Sequence, residues 1–295
     1  MELPVAPETY LPTAETMLRA LRRAEAILSR MLAVETELPA PGITTPKPFP
    51  LGPDSPPGIS AATLFTQPQL ALESKANFAQ DVHVPPGAGD SAAAVVDRIL
   101  AHYAAQNISC HAISCAGVSA SADLVAALHQ RNYRSGGRDV LMRLEHLAPP
   151  IHPAAPLQII PARSAYAPLT EFLRQEALEE YVFTAPAAAQ RVAAYLAHLD
   201  EPRLTMSLGR VDNQIVATAS VIDLGDVGII DHVYTAPAYR RRGIASALLR
   251  HALDYCARAQ FKSVLLEVRP ERDAYRLYRS LGFVPVTEFE KYIRI

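Results

Sequence analysis

The sequence lacks the features that mark several large classes of protein. No apolar run approaches the ~20 residues that cross a bilayer, so we expect no membrane-spanning helix. Its 28 basic residues nearly balance its 30 acidic residues, and no overall field favours nucleic acid or an anionic membrane. The first residues show no basic segment followed by an apolar core, so we expect no secretory signal and a cytoplasmic location.

Cysteine is scarce, and the three residues Cys110, Cys115 and Cys256 cannot all pair with one another. Cys110, His111 and Cys115 are metal-ligand types within one strand-like segment. Neighbouring residues of a strand face opposite ways, which disfavours a shared metal ion. We therefore expect buried thiols and no metal.

What the sequence does have is enough apolar material for a core: 49% of its 295 residues are hydrophobic. The length favours two domains. Residues 152–156 (HPAAP) have the composition of a linker, which predicts domains at residues 1–150 and 151–295.

The N-terminal half begins with apolar residues at helical spacing, which predict a helix over residues 13–38 with Thr13 as N-cap. The proline-rich residues 39–57 then predict an extended loop. Strands and helices alternate after it, with strands expected at residues 62–66, 75–84, 108–114 and 139–147 and helices at 90–105 and 122–131.

The C-terminal half repeats this alternation. We expect strands at residues 157–161, 204–211, 214–223, 229–235 and 264–268, helices over 164–181 and 184–198, and a terminal hairpin formed by 283–286 and 288–295. Two further helices follow the strands at 229–235 and 264–268, so the sequence predicts an α/β fold with a mixed sheet flanked by helices.

The segment Val233 to Leu249 has the order of a phosphate site: a strand, a tight turn with Pro237 and the start of a helix. A helix start leaves backbone N–H groups without partners and carries a partial positive charge, so it binds anions. Gly243 and Ala245 allow close approach, while the preceding arginines supply charge in a bidentate geometry: Arg240, Arg241 and Arg242.

This segment also carries a family resemblance. Residues 240–245 (RRRGIA) resemble the (Gln/Arg)-x-x-Gly-x-(Gly/Ala) element of GNAT acetyltransferases, and residues 273–283 (DAYRLYRSLGF) resemble their A-x-x-L-Y-x-x-x-G-F signature. The resemblance covers roughly Leu157 to the C-terminus. It implies acetyl-CoA as acyl donor, with the pyrophosphate held by the loop Arg240, Arg241, Arg242, Gly243, Ile244, Ala245 and Ser246.

The same resemblance assigns roles along the neighbouring strand and helix. It places the thioester against the backbone of Val233, Tyr234 and Thr235, where an N–H can stabilise an oxyanion if the adjoining strands splay. Tyr278 would protonate the departing thiolate. Glu271 stands where the family commonly has Asn beside the CoA arm, and an ionised carboxylate cannot donate a hydrogen bond there.

The group that accepts the amine's proton is left open between Asp231, Glu267 and an ordered water. Asp231 lies two residues before Val233 and so projects to the same side of the strand, whereas His232 points the other way. Near the end of the first helix of this half, Glu176, Glu179, Glu180 and Tyr181 could attract a cationic amine or form a solvated helix face.

The N-terminal half resembles a degenerate copy of the C-terminal half. Its segment Leu124 to Tyr133 is similar to the segment ending in Gly282 and Phe283, but Leu128 stands in the place of Tyr278. Where the C-terminal half has its arginines, the copy has residues 85–90 (PPGAGD). Prolines remove N–H donors and Asp90 repels phosphate, so we expect a degenerate GNAT-like domain that does not bind CoA.

Together these features predict an acetyl-CoA-dependent N-acetyltransferase that acts by direct attack of a primary amine in a ternary complex. The acceptor is left open between a small molecule and a protein amine. A non-catalytic acyl-CoA binder on the same fold is the alternative, and the proline-rich segment and degenerate half could serve to dock a partner.

Overall fold

The computed structural model describes residues 12–39, 60–84, 91–116, 120–146, 156–179 and 183–295. These residues form two compact units. Unit 1 combines the described part of Met1–Met31 with that of Asp139–Glu288, and unit 2 combines that of Leu32–Arg138 with Phe289–Ile295. Each unit is thus assembled from separate stretches of chain.

Helices and strands alternate along most of the chain. In chain order they are α1 (Ala14–Arg30), β1 (Val34–Pro39), β2 (Ser60–Thr66), β3 (Phe78–Val82), α2 (Ala92–Ala104), β4 (Ala112–Cys115), α3 (Ala122–Gln130), β5 (Tyr133–Leu144), β6 (Gln158–Pro161), α4 (Tyr166–Glu179), α5 (Ala185–His198), β7 (Leu204–Val211), β8 (Gln214–Asp223), β9 (Val227–Thr235), α6 (Ile244–Arg258), β10 (Ser263–Val268), α7 (Asp273–Ser280) and β11 (Phe283–Arg294). The mixed α/β class predicted from the sequence is confirmed.

The units do not follow the predicted division at residue 150, because β5 and β11 each contribute to both. The first part of β5 belongs to unit 2 and the rest, from Asp139, belongs to unit 1. For β11 the order is reversed, and its residues from Phe289 belong to unit 2. The predicted linker at 152–156 lies outside the described residues except for Pro156.

The N-terminal helix is shorter than predicted. α1 ends at Arg30, and Val34–Pro39 form strand β1 instead of the last helical turns, since β-branched Val34 and Thr36 suit a strand paired with β2. The predicted N-cap is confirmed: the Thr13 hydroxyl accepts the backbone N–H of Thr16 at 3.2 Å. The helix packs its apolar side against β9 and β10 within unit 1.

Unit 1 is built on a mixed sheet in the order β11, β5, β10, β9, β8, β7, β6. Strands β7, β8 and β9 pair antiparallel, and β9 pairs parallel with β10. Leu208 packs among residues of α4 and α5, whereas a Cβ at the neighbouring Gly209 would meet Leu248 of α6 at 3.0 Å. Helices α4 and α5 therefore cover one face of the sheet and α6 covers the other.

Unit 2 contains the sheet order β1, β2, β3, β4, β11, β5. Helices α2 and α3 supply part of its core, including Val95, Ile99, Leu124 and Leu128. The predicted proline-rich loop falls on residues 39–57, of which all but Pro39 lie outside the described residues, as do residues 85–90.

The predicted C-terminal hairpin is wrong. Residues 283–294 form the single strand β11, because Val286, Thr287 and Glu288 lack the glycine or asparagine that a tight reversal favours. All three cysteines are free and buried, as predicted. His111 Nε2 lies 2.6 Å from the carbonyl oxygen of Ala71.

Two features of the described residues bear on function. None of the described helices is long and apolar enough to cross a membrane. Within the same ranges, no three His, Cys, Asp or Glu side chains come together in a way that could hold a metal ion.

Candidate active site

The parallel ladder between β9 and β10 ends partway along the two strands. It begins at Val227 and Ser263 and its last pair is Ile230 with Leu266. β9 runs on to Thr235, still paired with β8, while β10 pairs with β5 on its other side. The splay that the sequence interpretation required lies here, directly beside Val233, Tyr234 and Thr235.

A β-bulge lies in β9 just after the end of this ladder. Thr218 pairs with Tyr234 and Ser220 with Asp231, so His232 and Val233 together oppose the single residue Ala219. His232 has a φ of 47°, in the left-handed region that few non-glycine residues adopt. Bulges of this kind re-aim side chains and often lie beside active sites.

The His232 side chain points to the opposite face of β9 from the Val233 side chain, as predicted: Val233 packs against residues of α6. The His232 side chain meets α4 and α5. Its Nε2 lies 2.9 Å and 3.1 Å from the two carboxylate oxygens of Glu176, and its ring stacks on Tyr195 with centroids 4.2 Å apart. The sequence showed no signal for this pairing, because the two residues are 56 positions apart.

Glu176 is therefore not part of a solvated helix face. Only 2% of its side chain and 3% of the His232 side chain are exposed. Glu179 is exposed, and Glu180 and Tyr181 lie outside the described residues. Of the four residues for which attraction of an amine or a solvated helix face was left open, Glu176 is the one whose described contacts reach the strand that carries the site.

The start of α6 has the geometry expected of an anion site. Gly243 is its N-cap with a φ of 78°, and Arg241 two residues earlier has a φ of 62°. Among the described residues, no side chain caps this helix start. The first turn contains buried Ile244 and Ser246, so the backbone N–H groups, and not these side chains, face the approach.

The three arginines that precede this helix are exposed. Arg240 Nε donates to the carbonyl oxygen of Thr235 at 2.9 Å, and its guanidinium lies 5.7 Å from the ring centroid of Tyr234. Arg242 lies over the ring of Tyr239. Arg241 is within 3.4 Å of Asp273, although both side chains are mostly exposed and their attraction is screened by water.

Tyr278 of α7 lies in the core beside the strand splay. Its residue is 5% exposed, and its ring meets Phe283 edge-on. Burial raises the pKa of Tyr278 above its ordinary value, and the charge of Asp231 raises this pKa further. The two residues predicted to carry the chemistry are thus close enough to interact electrostatically, and Tyr278 is protonated at neutral pH.

Two buried polar atoms at the end of β9 have no hydrogen-bond partner within the described residues: Nδ1 of His232 and Oγ1 of Thr235. Unsatisfied buried polar groups are rare and costly, and they cluster at functional sites. Glu267 lies on β10 opposite Leu141, and Glu271 is exposed in the turn before α7.

Comparisons with known proteins agree with this geometry. The model of the acetyltransferase (GNAT) family matches residues 170–283. The N-alpha-acetyltransferase RimI of Mycobacterium tuberculosis (strain ATCC 25618 / H37Rv) is 36% identical over 108 residues, which cover 35% of this chain and 66% of that protein. The chain thus spans slightly less than two thirds of this curated relative.

Solved structures extend the likeness beyond the matched domain. A GCN5-related N-acetyltransferase from Kribbella flavida is 16% identical, with a TM-score of 0.60 over 96% of both chains. A functionally unknown conserved protein from Staphylococcus epidermidis ATCC 12228 is 14% identical, with a TM-score of 0.57 over 79% of this chain and 90% of that one. At these identities the likeness is one of fold. The family match shows a GNAT acetyltransferase domain over residues 170–283 of this chain.

Proposed function

We propose that this protein transfers an acetyl group from acetyl-CoA to a primary amine, by direct attack within a ternary complex. The observation that carries the proposal is the opening between β9 and β10 beside the start of α6. There unit 1 would contact the phosphates and the thioester of the acyl donor, and the buried Tyr278 would supply the proton.

The donor would be held at its two ends. The diphosphate would accept hydrogen bonds from the backbone N–H groups of residues 243–246, with the positive end of the α6 dipole behind them. Arg240, Arg241 and Arg242 are exposed and would add charge-assisted contacts. The pantetheine arm would run along Val233 to Thr235, where the β9–β10 ladder has ended, and past the exposed Glu271, which cannot donate to it when ionised.

The transfer itself needs one bond to form and one to break. The amine nitrogen attacks the thioester carbonyl carbon, and a backbone N–H of Val233 to Thr235 stabilises the oxyanion. The tetrahedral intermediate then collapses with loss of the C–S bond. Tyr278 donates its proton to the sulfur, so the products are the acetamide and CoA thiol.

Asp231 is the proposed acceptor of the amine's proton, with Glu267 and an ordered water as the alternatives. The charge of Asp231 contributes to the raised pKa of Tyr278. When Asp231 takes up a proton, this charge disappears and the pKa of Tyr278 falls. Deprotonation of the amine would thus make Tyr278 a stronger acid when the thiolate departs.

We further propose that unit 2 descends from the same kind of domain and has lost its donor site. Its strands and helices β1, β2, β3, α2, β4, α3 and β5 follow the order of β7, β8, β9, α6, β10, α7 and β11. The first two pairings in each series are antiparallel and the third is parallel.

For the acceptor, the similarity to an N-alpha-acetyltransferase makes peptide N-termini the first class to test. Small primary amines are the second class, because the fold is compatible with either.

The test is a thiol-release assay with acetyl-CoA, the intact chain and a panel of peptides and small amines. Turnover with any amine that requires both substrates together supports the proposal. Binding of acetyl-CoA without thiol release for every amine would instead favour a non-catalytic acyl-CoA binder.

A further inference from the structure

The bulge in β9 is held from several sides by side chains of unit 1. From β8, the Thr218 hydroxyl donates to the carbonyl oxygen of His232 at 3.1 Å and the Ser220 hydroxyl donates to that of Asp231 at 2.9 Å. From α4, Glu176 meets the His232 ring at 2.9 Å. From α5, Tyr195 stacks on the same ring.

The α5 side of this arrangement is itself fixed. Arg191 donates to the Tyr195 hydroxyl at 3.3 Å, and its guanidinium lies 5.1 Å from the Tyr195 ring centroid. Both residues are more than nine-tenths buried. The ring that packs on His232 therefore has little freedom to move.

A carboxylate only accepts hydrogen bonds, so the contact with Glu176 puts a proton on His232 Nε2. The other ring nitrogen, Nδ1, is buried without a hydrogen-bond partner in the described residues. The imidazole is thus held by one polar contact and one stacking contact, both from the helices that cover this face of the sheet.

This anchoring matters because His232 has a φ of 47°. A non-glycine residue stays in that region only where its surroundings fix it, and such strain is concentrated at functional sites. The next three residues, Val233 to Thr235, supply the backbone that would face the thioester. A change of conformation at His232 would move all of them.

We infer that Glu176 and His232 are a pair of positioning residues. They tie α4 to the bulge of β9 and so fix the backbone of Val233 to Thr235 in the geometry that stabilises the transition state. The inference rests on the proposed function for its effect on turnover, but not for its effect on the bulge. Loss of the pair should lower kcat and leave KM for acetyl-CoA nearly unchanged.

Three variants separate anchoring from other roles. Asn tolerates the left-handed region but cannot reach Glu176, so His232→Asn removes the anchor with little added strain. Glu176→Ala removes the partner, whereas Glu176→Gln keeps an acceptor oxygen. We expect His232→Asn and Glu176→Ala to lower kcat by about 10- to 100-fold, and Glu176→Gln to restore most of the rate.

A matched control is available in the same unit. Glu201 is 7% exposed, and its carboxylate is bonded to Arg203 at 2.7 Å and 3.0 Å. Glu201→Gln makes the same chemical change away from β9 and should leave kcat unchanged. If His232→Asn fails to fold, Thr218→Val tests the bulge from β8, with a loss of kcat expected there too.

Amide hydrogen exchange of residues 231–235 supplies a readout that needs no turnover. Exchange should be faster in His232→Asn and Glu176→Ala than in the wild type, and unchanged in Glu201→Gln. Wild-type kcat and exchange in His232→Asn and Glu176→Ala would overturn the inference, as would an equal loss of kcat in Glu176→Gln and Glu176→Ala. If the wild-type chain turns over no amine, the proposed function fails, and the exchange rates alone decide whether the pair holds the bulge.

Discussion

Both units contain a parallel strand pair whose first strand carries a left-handed residue. In unit 2 this residue is Asp81 of β3, with a φ of 56°, and in unit 1 it is His232 of β9, with a φ of 47°. In unit 2 the ladder continues past Asp81, since Val82 pairs with Cys115 and its carbonyl oxygen accepts the N–H of Ala116 at 2.9 Å. In unit 1 the ladder ends at Ile230, before the bulge.

This difference explains why the same arrangement of strands suits two different roles. A thioester arm needs backbone groups that a neighbouring strand does not already occupy. The β3–β4 pair uses its backbone to close its own sheet, whereas the β9–β10 pair opens beside the residues proposed to bind the thioester. The open pair is therefore the one suited to chemistry.

The helices that follow β3 and β9, which are α2 and α6, also differ in whether their backbone groups are already bonded. At α2 the Ser91 hydroxyl accepts the N–H of Ala94 at 3.2 Å, so the helix caps itself. At α6 the N-cap is Gly243, which has no side chain to do so. Further along, α3 buries Leu128 where α7 buries Tyr278. Three differences thus distinguish the units. Unit 2 continues its ladder, caps its helix with a serine and buries a leucine, whereas in unit 1 the ladder ends, the helix start lacks a side-chain cap among the described residues and a tyrosine is buried.

The largest expected effect is on turnover. Tyr278→Phe should lower kcat by at least about 100-fold, because it removes the proposed proton donor. Affinity for CoA, measured by calorimetry, should stay within about twofold because the ring is retained.

Tyr133→Phe is the matched change in unit 2. The Tyr133 hydroxyl donates to the carbonyl oxygen of Cys110 at 2.5 Å, so its loss should lower the free energy of unfolding by about 1 kcal/mol and leave kcat intact. Equal kcat losses in the two variants would remove the distinction between the units.

Next in size is the conversion of the α6 start into one that resembles α2. Gly243→Asp places a capping carboxylate at the start of α6, and aspartate is a residue type that tolerates a positive φ. The carboxylate would occupy the N–H groups and repel the diphosphate, so the Kd for CoA should rise by at least about tenfold. Calorimetry measures the Kd, and urea unfolding should show a stable protein; unchanged CoA affinity would mean that the phosphates bind elsewhere.

A buried thiol of unit 2 should make the stability of the protein sensitive to alkaline pH. Burial raises the pKa of the Cys110 thiol to about 12, and burial also raises the pKa of Tyr103 and of Tyr133. The unfolded chain loses these protons first, so the stability they contribute is complete below pH ~9 and declines as pH rises toward the folded pKa. The wild type should lose about 1 kcal/mol from Cys110 between pH 9 and pH 10.

Urea unfolding followed by circular dichroism at both pH values measures this loss. Cys110→Ala should show a smaller decline than the wild type, since alanine does not titrate. An identical decline in the two proteins would place the alkaline sensitivity in other groups.

The smallest expected effect is the loss of the α2 cap. Ser91→Ala should lower the free energy of unfolding by about 0.5 to 1 kcal/mol, because the N–H of Ala94 loses its acceptor. CoA affinity should not change. A weaker CoA complex in this variant would contradict the assignment of donor binding to unit 1.

Much of the fold around the candidate site could be predicted from residue types and their order. The strands at 204–211 and 214–223 were predicted at their observed bounds. The helix start at Thr184, with its hydroxyl accepting the N–H of Ala187, follows from capping chemistry. Gly243 was placed at the start of α6 for a different reason, namely that its small size allows a phosphate to approach the backbone.

What could not be predicted depends on contacts distant in sequence. The contact of His232 with Glu176 was not predicted, and nothing local in IIDHVYT specifies the bulge at which His232 lies. Glu176 becomes buried only because β9 brings His232 to it. The division at residue 150 missed that β5 and β11 each contribute to both units, which is a matter of strand pairing and not of composition.

The most direct test of the account is the stoichiometry of acetyl-CoA binding to the intact chain by calorimetry. A single acetyl-CoA per chain, with binding weakened by Gly243→Asp and unaffected by Ser91→Ala, is the predicted result. Two equivalent sites per chain, or a single site that responds to Ser91→Ala and not to Gly243→Asp, would contradict it.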